Sequence, residues 1–121
     1  MVGLRKMVRR LTAPIDELDA ERLREFCASH PNVTAIAEVA PRENATVVGE
    51  IQVVRIVPRA GSPSLEATIS DGTGQLVAMW TGRRRIAGIA PGRRLVVSGR
   101  AAPIGPGGRL LLFNPAYELL S

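Results

Sequence analysis

Residues Thr46 to Val57 read Thr-Val-Val-Gly-Glu-Ile-Gln-Val-Val-Arg-Ile-Val, a run dominated by β-branched side chains with one glycine inside it. Such side chains lose rotamer freedom in a helix and pack well on a pleated surface, so the run predicts a long first strand. Gly49 has no side chain to pack and suits a sharp bend. A bent strand can contribute to two faces of a small barrel, and that constrains the fold of everything downstream.

After a turn-rich stretch from Pro58 to Ser64, Leu65, Ala67 and Ile69 alternate with Glu66, Thr68 and Ser70 at the period of a half-buried strand. Asp71-Gly72-Thr73-Gly74 turns the chain back into a third strand, Gln75 to Thr81. A linker from Thr81 to Gly92, expected to hold a turn of helix, leads to a fourth strand from Arg94 to Arg100. Beyond a loop at Ile104 to Gly108, Leu110 to Phe113 makes the fifth strand, which Asn114-Pro115 interrupts before Tyr117 to Leu120. Ahead of the strands, Leu23, Phe26 and Cys27 share one face of a short helix, with Asp19 read as its cap, Leu18 as a staple onto Leu23, and His30-Pro31 as its end. The order predicts an all-β chain: a five-stranded Greek-key OB-fold barrel with a short N-terminal helix. Residues 1–12 are expected as a basic flexible arm, 13–44 as a helix and linker packing on the barrel, and 45–121 as the OB-fold domain.

Only Phe26, Trp80, Phe113 and Tyr117 are aromatic, so Val, Leu, Ile and Ala must fill the interior. Charge is unevenly spread. Residues 1–12 carry four cations and no acids, 13–44 three cations and seven acids, and 45–121 nine cations and four acids. The arm and the barrel are thus the regions that attract phosphate. Fifteen of the sixteen cations are arginine, whose planar fork suits phosphate and stacks on bases. The lone Cys27 forms no internal disulfide, and no apolar run approaches the roughly 20 residues of a membrane span, so a cytoplasmic protein is expected. Cys27 and His30 are too few to make a structural zinc site, and with one histidine no catalytic triad assembles; neither a cofactor, a metal nor an enzymatic activity is expected.

Trp80 is a candidate stacking ring, but Val77 and Met79 on one strand face and Leu76 and Ala78 on the other are all apolar, so alternation leaves open whether the indole faces a ligand or the core. Arg83, Arg84 and Arg85 follow almost at once and are candidates for successive phosphates, or else a solvated patch. Arg55, Arg59, Arg93, Arg94, Arg100 and Arg109 extend the positive field. Arg59 and Arg109 stand out because they adjoin the loops that flank the ligand groove of an OB-fold. Tyr117 and Phe113 are further candidate rings. The Asp71-Gly72-Thr73-Gly74 turn lacks the Lys and helix of a P-loop and is read as structural.

The stretch from Thr46 to Leu120 resembles the OB-fold wedge domain of the RecG branch-migration helicases. The residues that carry the likeness are the Val-rich strand with Gly49, the Asp71-Gly72-Thr73-Gly74 turn, the apolar strand ending in Trp80, Pro91-Gly92, and Pro115 with Glu118. The whole chain is similar to small stand-alone OB-fold proteins of actinobacteria, through its basic start, its helix, Trp80, Gly82-Arg83-Arg84-Arg85-Ile86 and Gly88-Ile89. The aromatic-Asn pair that often ends the third strand in RecG-like domains is replaced here by Thr81-Gly82. The resemblance implies nucleic-acid binding; the arginines and Trp80, with Tyr117 or Phe113, make single-stranded DNA or RNA, bound with little sequence preference, the expected ligand. The alternative is an OB-fold module that binds a protein partner.

Overall fold

The computed structural model describes residues 18–120. The sheet order is β1-β2-β3-β5-β4-β6, with β1 also paired to β4, so the strands close on themselves. The strands are β1 (Asn44–Arg59), β2 (Ser62–Ser70), β3 (Gln75–Thr81), β4 (Arg94–Ile104), β5 (Arg109–Phe113) and β6 (Ala116–Leu120). Apart from the parallel β3–β5 pair, all the pairings are antiparallel. Because β5 and β6 both run antiparallel to β4, they are two halves of one strand interrupted at Asn114 and Pro115. The result is the five-stranded OB-fold barrel expected from the sequence.

Closure depends on the bend in β1. Residues 44–50 pair with β4 and 50–59 with β2, and Glu50 faces both Arg94 and Ser70 across the two ladders. A methyl group at Gly49 would collide with Ile69 Cγ2 and lie 2.9 Å from Ser70 O, so the crossing of β1 over β2 requires a residue without Cβ. A register shift between Ile51 and Val53 adds to the bend.

The β1–β2 connection is tighter than the composition of Pro58 to Ser64 implies. Only Ala60 and Gly61 lie outside the strands, both with positive φ (51° and 80°), as a two-residue hairpin turn requires. In such a hairpin the closing pair, here Arg59 and Ser62, is hydrogen-bonded, and the next pair is not. That next pair is Pro58 opposite Pro63, where a missing N–H costs no ladder bond.

The barrel interior is aliphatic, built from residues such as Val47, Ile51, Leu65, Ile69, Leu76, Leu95, Val97 and Leu112 around Trp80. Residues 18–28 are helical (α1). Leu23 and Cys27 of α1 pack on Val48, with Phe26 and Val96 beside them. Arg94 locks the helix down: its guanidinium lies 4.3 Å over the Phe26 ring while Nε donates to Glu50 at 3.2 Å. Helical geometry is already present at Leu18, so Asp19 lies within the helix and does not cap it, and Leu18 is exposed, not stapled over Leu23. The helix start and the 1–12 arm lie outside the described residues.

The Asp71 turn holds α1 and a 3₁₀ turn (Ile36–Glu38) to the barrel. The buried Asp71 carboxylate accepts from the N–H groups of Ile36 (2.8 Å), Thr73 (2.9 Å) and Gly74 (3.2 Å) and from the Thr73 hydroxyl. Gly72 at φ 86° lets the α1 backbone approach, since a Cβ there would lie 2.7 Å from Ala20 O. No helical turn forms between β3 and β4: residues 82–93 run irregularly and are anchored by Ile86 and Ile89 entering the core.

Candidate functional site

The outer face of the sheet, opposite the barrel interior, runs across four strands. Arg55 on β1 stands opposite Glu66 on β2, Glu66 opposite Met79 on β3, and Met79 opposite Phe113 on β5. Val77, Met79 and Leu111 form a small apolar cluster on this face, with Ile104 packed against it. This second cluster explains why β3 reads as apolar on both sides.

Trp80 faces the other way. It is 6 % exposed, belongs to the barrel core, and its indole N–H donates to Pro115 O at 3.2 Å. The expectation that Trp80 offers its ring to a base is therefore corrected: the indole fills the barrel, with its polar edge satisfied inside. The exposed rings are Phe113 and Tyr117, each 42 % exposed. Tyr117 meets Trp80 edge-on with ring centres 5.6 Å apart and pairs with the core residue Val97, which puts it on the inner side of the fifth strand. Phe113 stands on the outer face.

At the Phe113 end of that face, Arg59 reaches over from the β1–β2 turn. Its guanidinium lies 4.7 Å from the centre of the Phe113 ring, and Nη1 approaches Met79 Sδ at 3.7 Å. An arginine held over a ring and beside a thioether has less rotamer freedom left to lose on binding. Asn114, at φ 45°, ties the same corner together. Its Oδ1 accepts from Thr81 N–H (2.9 Å), its Nδ2 donates to Thr81 Oγ1 (3.1 Å), and its own N–H donates to Met79 O (2.6 Å). A cleft of about 370 Å³ opens beside this corner, lined by Arg59, Ala60, Ser62, Ser64, Thr81 and Gly82.

The remaining arginines divide. Arg83, Arg84 and Arg85 are all exposed and leave the cleft directly after Gly82, whose N–H is fixed to Pro63 O at 2.8 Å. Arg55 forms an ion pair with Glu66 at 3.0 Å, which offsets the acid on this face. Arg94 is committed to Glu50 and Phe26. Arg109 is exposed at the start of β5; as Leu111 pairs with Val77, Arg109 sits near the Gln75 end of β3, about 20 Å from Thr81 at the rise of a strand. The fold thus brings Arg59 and Arg83–Arg85 to one end of the face and leaves Arg109 at the other, while Arg93 and Arg100 are exposed on or just before β4.

Cys27 and His30 play structural parts. Burial pushes the Cys27 thiol up from 9.0 to about 11, with the Asp71 charge adding to the rise, so it is a poor nucleophile. His30 Nδ1–H donates to Phe26 O at 3.0 Å. Among the described residues no group of three or more His, Cys, Asp or Glu is arranged to hold a metal, and no helix is long and apolar enough to cross a membrane.

Composition draws attention to the arginines but not to Ser62, Ser64, Thr81 and Asn114. The β2–β3 ladder sets Ser64 opposite Thr81, and the parallel β3–β5 pairing, which joins segments some 35 residues apart and which no local pattern announces, brings Asn114 to the same corner.

No protein-family model and no curated protein matches the chain. Solved structures share the fold, including two bound to DNA. One is RecG bound to a three-way DNA junction, at 20 % identity and TM-score 0.58 over 72 % of this chain, which spans only 12 % of the RecG chain. The other is a replication protein A heterotrimer bound to single-stranded DNA, at 15 % identity and TM-score 0.50, covering 77 % of this chain and 70 % of that one.

Proposed function

We propose that this OB-fold protein binds single-stranded DNA or RNA with little sequence preference and performs no chemistry of its own. The observation that carries the reading is the Arg59 guanidinium 4.7 Å from the centre of the exposed Phe113 ring, at the end of β3 after which the exposed Arg83–Arg85 follow. A base stacks on the outward face of the guanidinium or on the free part of the ring, and the three arginines engage phosphates along the strand. Both solved neighbours were captured with DNA, one with a junction and one with a single strand, which supports the assignment.

Anisotropy titrations with labelled single strands at two salt concentrations test the reading. Affinity is expected to fall with salt at a slope of about −0.7 per phosphate neutralised. Base stacking is worth roughly 1–3 kcal/mol, so a folded Phe113→Ala variant should bind between about 5-fold and about 150-fold more weakly. Absent or salt-insensitive binding would reject the proposal.

One observation favours a second reading, docking of a protein partner. Val53 and Ile56 are both about half exposed on the part of β1 that pairs only with β2. A partner strand added there would give binding that ignores oligonucleotides.

A further inference from the structure

We infer that the cleft between the β1–β2 turn and the end of β3 is a phosphate subsite, an assignment that rests on the nucleic-acid reading and says where one backbone phosphate sits. The lining side chains supply one guanidinium, from Arg59, and three hydroxyls, from Ser62, Ser64 and Thr81, with no carboxylate among them. A wall made of donors and a cation, without a competing acid, selects an oxyanion.

Ser64 provides the second, independent observation. It is 1 % exposed and its Oγ has no hydrogen-bond partner. Buried hydroxyls nearly always find a partner, because an unpaired one forfeits its bond to water and gains nothing in exchange. Ser64 lies opposite Val57 on β1 and Thr81 on β3, so its side chain belongs to the outer face and lines the cleft. The nearby backbone donors are already used: Gly82 N–H by Pro63 O and Thr81 N–H by Asn114 Oδ1. The unsatisfied capacity of this corner is therefore the Ser64 hydroxyl, with the Arg59 guanidinium held above Phe113 at its rim. A phosphodiester oxygen in the cleft pairs with the Arg59 guanidinium, and a shift of the cleft wall that uncovers Ser64 Oγ lets that hydroxyl donate to it, with the adjoining base left beside Phe113.

The test compares full-length wild type with Ser64→Ala by amide NMR titration with inorganic phosphate, by affinity for an oligothymidylate and its uncharged methylphosphonate analogue, and by melting temperature. In the wild type, phosphate is expected to shift the amides of Ala60, Ser62, Ser64, Thr81 and Gly82, and the methylphosphonate strand to bind more weakly. Ser64→Ala should lose those shifts and bind the oligonucleotide several-fold more weakly, while melting at the same or a higher temperature. If oligothymidylate binds both proteins equally and phosphate leaves these amides in place, the subsite is overturned and the nucleic-acid reading stands. If phosphate shifts them but no oligonucleotide binds, the cleft stands as a site for free phosphate and the nucleic-acid reading falls. A lower melting temperature in Ser64→Ala, with affinity unchanged, assigns the hydroxyl to the fold and also overturns the inference.

Discussion

Trp80 and Phe113 sit on strands joined side by side, and the direction in which each side chain leaves its strand decides what it does. Trp80 points inward, where Pro115 O accepts its N–H and aliphatic side chains surround the indole. Removing a ring of that size from a core leaves a cavity, so Trp80→Ala should destabilise the fold by about 3–5 kcal/mol in urea denaturation. A change below about 1 kcal/mol would place the indole outside the core. Phe113 points outward, and Arg59 covers only part of its ring. Ser64 and Asp71 show the same contrast among polar groups. Asp71 has its carboxylate filled by four donors and holds the molecule together, whereas Ser64 has none and lines a cleft.

Among the elements, β1 carries the greatest constraint, because one strand must serve two neighbours that diverge from it. Its bend rests on the close approach of Gly49 to Ile69 and Ser70. Gly49→Ala is expected to cost about 1–3 kcal/mol by overpacking, read from chemical denaturation, even though alanine suits ordinary backbone geometry better than glycine. A neutral or stabilising result would mean that β1 and β2 separate freely at this point. Strand positions are readable from the apolar runs, but their ends are not, since β2 starts at Ser62 and β4 continues past Arg100 to Ile104. The break at Asn114-Pro115 is readable from the proline. The two-residue turn at Ala60-Gly61 is not, since the flanking Pro58 and Pro63 read as loop residues until the pairing shows that their missing N–H groups fall at a non-hydrogen-bonded position.

At the scale of the whole molecule, the barrel sorts its charges. Arg55 and Arg94 are paired with Glu66 and Glu50, and Arg83, Arg84 and Arg85 are exposed beside the cleft. Replacing all three by alanine should leave the melting temperature unchanged, because none of them is buried. The same replacement should reduce the salt slope of single-strand binding by up to about 2, since each phosphate left without its guanidinium lowers it by about 0.7. An unchanged slope would make the run a solvated patch.

The amino-acid sequence alone determined the succession of strands, the bend at Gly49, the aliphatic core and the excess of arginine on the barrel, because each of these follows from local periodicity or composition. Only the tertiary structure decided which arginines are free, which aromatic faces outward and which hydroxyl is left unpaired. Those outcomes depend on strand pairings that set Arg55 against Glu66, Arg94 against Glu50, Ser64 against Thr81 and Phe113 against Met79, and on a third strand apolar on both sides, where alternation carries no information about which side is the interior.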